Sequence, residues 1–142
     1  MDILFGILFW IHLMALMAGG TSSVAMPAIG AQMSGATPET RQRLMAVSKR
    51  LMMLARAAVV ALIVTGPLLL WLGYGFRAPD EAWFGIKMLL VVVLIVLMIL
   101  GGIAAKKAMN GDAEAGKRAG LISRISAATL ALIVLAAVFA FN

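Results

Sequence analysis

The chain has 142 residues, 63% of them hydrophobic and 13% charged, with no cysteine and a formal net charge of +6. A soluble domain of this length has too little interior to hide that much apolar surface, so the composition specifies an integral membrane protein. The basic residues fall mainly in short connections between apolar runs, which excludes nucleic-acid binding, and the lack of cysteine excludes disulfides, iron–sulfur clusters and thiolate zinc sites.

Four apolar runs are long enough to span a bilayer: 3–22, 51–72, 82–105 and 119–141. They predict an all-α polytopic protein, one domain of four transmembrane helices in an up-and-down bundle. Met1-Asp2 offers no basic n-region, so the first run reads as a retained helix and not as a signal peptide.

In chain order, the first helix is expected to outlast the membrane, absorb Pro27 and break at Ser34-Gly35-Ala36. Thr37-Pro38-Glu39 is a helix start: a capping hydroxyl, proline in the first turn and an acid at the positive end of the dipole. Pro67 cannot donate to the Ile63 carbonyl and predicts a kink in the second helix. Trp71 and Tyr74 close that span as an aromatic belt, Asp80 caps the third helix, and Asn110-Gly111 ends it. The fourth helix starts near Asp112 or Glu114.

Charge sets the expected orientation. Arg41, Arg43, Lys49 and Arg50 occupy the first connection, and Lys106, Lys107, Lys117 and Arg118 the third, whereas the middle loop has Arg77 alone. The positive-inside rule then puts both termini outside, periplasmic in a bacterial inner membrane.

His12 is the only histidine, about 14 Å into the first helix by helical rise. An ionisable group at that depth faces a partner or a cavity, which makes His12 the chain's best metal or haem ligand. Lys87 lies about 9 Å into the third helix, and Thr65 lies at a comparable level on the second. His12, Lys87, Thr65 and the free Ile63 carbonyl are therefore expected in one layer. Gly19, seven residues from His12 on nearly the same face, lets a flat macrocycle or another helix approach closely. A bland reading stands beside each. His12 can be a neutral imidazole bonded to Thr65 or to a carbonyl, Lys87 can snorkel towards Asp80 or Glu81, and Gly19-Gly20 can be plain helix packing.

A histidine in the first helix followed by small residues and a proline (His12, Ala18-Gly19-Gly20, Pro27) goes with an aromatic start to the third helix carrying a lysine, Trp83-Phe84-Gly85-Ile86-Lys87. With the basic entry Lys49-Arg50-Leu51-Met52, this pattern resembles the membrane-embedded protoporphyrinogen oxidases of the HemJ type and their superfamily with the copper-resistance D proteins. The resemblance implies haem b, with His12 as axial metal ligand and Lys87 as second ligand or as partner of a propionate or porphyrin carboxylate. It also implies redox chemistry. The family's further histidines, after the proline and two turns beyond the lysine, have no counterpart in Ala28-Ile29-Gly30-Ala31-Gln32 or Val93-Leu94-Ile95-Val96-Leu97. Haem binding or electron transfer thus fits the residues better than oxidase activity. The partners expected are membrane lipid and either a second copy of the chain or a larger membrane complex. The rival functions are a cofactor-free accessory subunit and a small metal transporter.

Overall fold

The computed structural model describes residues 2–141. Four helices account for nearly all of them: α1 (Asp2–Met33), α2 (Pro38–Tyr74), α3 (Glu81–Met109) and α4 (Ala113–Phe141). All four are long and apolar enough to cross a membrane, so the chain is a multi-pass, all-α membrane protein.

The helix ends follow the local chemistry. Thr37 caps α2, its side chain accepting from the Thr40 N–H, with Pro38 in the first turn. The Asp80 carboxylate accepts from the Ala82 and Trp83 N–H groups at 3.0 and 3.2 Å, and Asp112 does the same for Glu114 and Ala115 at 3.1 and 3.2 Å. α2 ends at Gly75, which adopts the left-handed conformation (φ 57°), and its N–H returns to the Trp71 carbonyl. Pro27 and Pro67 both lie inside unbroken helices.

Packing rests on small residues, as expected where lipid is as apolar as leucine and close backbone approach supplies the attraction. Two antiparallel hairpins form, α1 with α2 and α3 with α4, and they join through α1 against α4. On α1, Ala15 and Ser22 are buried and Gly19 faces Ala58 of α2; a Cβ at Gly19 would sit 3.7 Å from the Ala58 Cβ. On α4, Thr129, Ile133, Ala136 and Ala140 form a buried stripe at helical spacing. α3 meets α4 through Gly101, where a Cβ would come 3.1 Å from the Ile122 side chain. The helix backbones of α2 and α3 do not approach closely, so the bundle is open between them.

One end of the bundle is sealed by aromatic rings. Trp83 stacks on Phe139 with centroids 4.9 Å apart, and Tyr74 meets Phe141 at 5.2 Å. The α2–α3 loop docks there too, the Asp80 N–H donating to the Ala140 carbonyl at 3.3 Å. This aromatic end is the one opposite the two basic connections.

Candidate functional site

His12 and Thr65 meet across the α1–α2 interface, with His12 Nδ1 2.7 Å from Thr65 Oγ1. Thr65 is buried, and its hydroxyl donates to the Ala61 carbonyl one turn back, also at 2.7 Å. These two distances assign every proton in the chain of contacts. A threonine hydroxyl has a single proton, and a carbonyl oxygen can only accept. The Thr65 proton therefore goes to Ala61, and His12 Nδ1 must be the donor to Thr65. The imidazole is held as the Nδ1–H tautomer, with the lone pair on Nε2.

Among the described residues Nε2 has no hydrogen-bond partner, yet it is not sealed inside the protein, since no fully buried polar side-chain atom lacks a partner. The ring is half-buried and lies against Gly66, where a Cβ would be 3.8 Å from Cε1. A histidine fixed through Nδ1 to an oxygen acceptor, with Nε2 free, has the polarity of a metal-ligating imidazole.

Lys87 makes no hydrogen bond to His12, and the backbones of α1 and α3 do not approach closely. Its ammonium sits 5.2 Å from the centre of the Phe141 ring. The outward reach towards Asp80 or Glu81 is not made; the only ion pair among the described residues is the exposed Arg118–Glu114 contact at 3.9 Å. The terminal aromatic cluster draws the lysine towards its own end of the bundle and holds it half-buried there.

The structure thus joins Thr65 and His12 in direct contact and places Lys87 against Phe141 at the aromatic end of the bundle. Gly19 serves the α1–α2 contact two turns away, against Ala58. Three participants were not singled out from sequence. Ala61 was readable, because a helical threonine habitually bonds the carbonyl four residues back. Gly66 and Phe141 were not, since what faces them is decided by which helices pack together.

No group of three or more His, Cys, Asp or Glu side chains among the described residues is placed to hold a bare metal ion. One imidazole is too few for such an ion, but it suffices for iron whose four equatorial ligands come from a porphyrin. The donor set therefore fits a haem better than a free metal. The sequence matches no family model and no curated protein, and the fold matches no solved structure.

Proposed function

We propose that this chain is a haem-b-binding protein of the bacterial inner membrane, a divergent relative of the HemJ-type proteins, with His12 as its axial ligand. The observation that carries the reading is the relay from His12 Nδ1 through Thr65 to the Ala61 carbonyl, which leaves Nε2 as a free, oriented lone pair. Thr65 orients the ring and sets its basicity, as outer partners of ligating histidines do. Lys87 supplies a cation for a propionate from the aromatic end, steadied by Phe141. A bound haem would supply one-electron chemistry at iron; the chain's own residues bind, orient and shield. His12 would be the one residue of this chain to hold the iron, unless Lys87 or a second copy also held it. Either a homo-oligomer or a larger membrane complex fits that need. The two basic connections favour periplasmic termini.

The test is an absorption spectrum, oxidised and dithionite-reduced, of the protein purified in mild detergent from haem-replete cells, beside His12→Ala. A Soret band lost in the variant supports ligation by His12. A colourless, well-folded wild type after haem supplementation overturns the reading. The Thr65 bond would then simply satisfy a packed histidine, and a cofactor-free accessory subunit would be the better account.

A further inference from the structure

One α2 side chain reaches across the opening to α3. The Arg56 guanidinium of α2 reaches α3 and rests over Gly102, where a Cβ would lie 3.2 Å from Nη2. Among the described residues Arg56 makes no ion pair and no hydrogen bond, and it is exposed. Its depth is informative. Arg56 lies about 27 Å along α2 from Tyr74, which sits in the aromatic cluster at the opposite end. A hydrocarbon core is about 30 Å thick, so with that cluster at one interface Arg56 is at the other, level with lipid phosphates. Arg124 of α4 lies at the same depth, about 26 Å from Phe141. It differs in facing: helical periodicity turns it away from Ile122, which packs on α3.

The two turns beyond Arg56 and Gly102 are apolar. Val59 and Ile63 rise from Arg56 by one and two turns along α2, and Met98 and Ile95 rise from Gly102 along α3. A slot between two helices, apolar over these two turns and closed at the phosphate level by an unpaired guanidinium, has the chemistry of a phospholipid site. We propose that an anionic phospholipid occupies the α2–α3 opening, its phosphate on Arg56 and an acyl chain along the slot. Gly102 keeps the mouth open, since a larger side chain there would displace the guanidinium. Two features argue for a lipid as occupant: the charge on Arg56 finds no carboxylate among the described residues, and the slot runs up from the headgroup level. This site is independent of whether His12 binds haem.

The test is native mass spectrometry of the purified protein in detergent, titrated with phosphatidylglycerol or phosphatidylcholine, for wild type, Arg56→Gln, Arg124→Gln and Gly102→Leu. The expected result is one preferred phosphatidylglycerol on wild type. Its occupancy should fall about tenfold in Arg56→Gln and in Gly102→Leu, where the charge remains but the mouth is filled, and should be unchanged in Arg124→Gln. Equal retention by wild type and Arg56→Gln overturns the proposal. So do an equal loss in Arg56→Gln and Arg124→Gln, which would mean diffuse electrostatics, and displacement of the lipid by millimolar inorganic phosphate, which would mean a site for the free ion. Circular dichroism and a matching thermal midpoint establish that each variant is folded.

Discussion

Replacing Thr65 with valine keeps the volume of the side chain but removes the oxygen that receives the His12 Nδ1 proton. The bond itself contributes little to stability, about 0.6 kcal/mol on average for such contacts between membrane helices. Its effect is on orientation. Thr65→Val should therefore leave folding nearly intact and weaken haem affinity by about 10- to 100-fold, whereas Thr65→Ser should restore most of it. Haem titration of the apoprotein reads this directly. Nitrogen NMR of His12 in the apoprotein checks the tautomer without any cofactor: the Nδ1–H form should dominate in wild type and in Thr65→Ser and lose its dominance in Thr65→Val. Lys87→Gln should retain the Soret band but bind haem about tenfold more weakly, the loss expected when a charge-assisted contact worth about 1.5 kcal/mol is removed. If Lys87→Gln changes the spectrum and not the affinity, the lysine is an iron ligand instead. His12 and Lys87 were legible because ionisable side chains are so rare inside apolar runs. Phe141 beneath the ammonium was not, because a terminal phenylalanine in an apolar helix looks the same wherever it packs.

Caps and small-residue contacts decide how each helix begins and how close its neighbour comes. Asp80 takes two N–H groups of the first turn of α3, and its own N–H ties the loop to the end of α4. Asp80→Ala removes the carboxylate contacts and should cost about 1 kcal/mol, seen as a lower thermal midpoint in detergent. Gly101→Leu should cost more, about 1–3 kcal/mol, because the Ile122 side chain already crowds that position and the α3–α4 interface must move apart. The same measurement compares the two variants, and a Gly101→Leu protein as stable as wild type would mean that the hairpin is held elsewhere. Capping chemistry was readable from Thr37, Asp80 and Asp112 because it acts within one turn. Pairing of Gly101 with Ile122, or of Gly19 with Ala58, was not, because many glycines and alanines offer equivalent surfaces.

At the scale of the molecule, the absence of cysteine makes topology directly measurable. Single cysteines at Ser34 and at Arg77 lie in opposite connections. With basic connections inside, an impermeant thiol reagent applied to intact spheroplasts should label Arg77→Cys and spare Ser34→Cys; the reverse pattern would invert the bundle. Four spans, their alternating direction and the separation of basic connections from the aromatic end were determined by sequence alone, because length, hydropathy and end chemistry act locally along the chain. Which helices touch was decided only by tertiary structure. Nothing in the apolar runs distinguishes a ring closed between α2 and α3 from the observed arrangement, two hairpins joined through α1 and α4 with an opening opposite. In lipid, apolar faces gain little by choosing one apolar neighbour over another, so the choice falls to a few sites of close backbone approach and to the rare polar groups that must find each other. His12 meeting Thr65, and Arg56 crossing to Gly102, exist only once that choice is made.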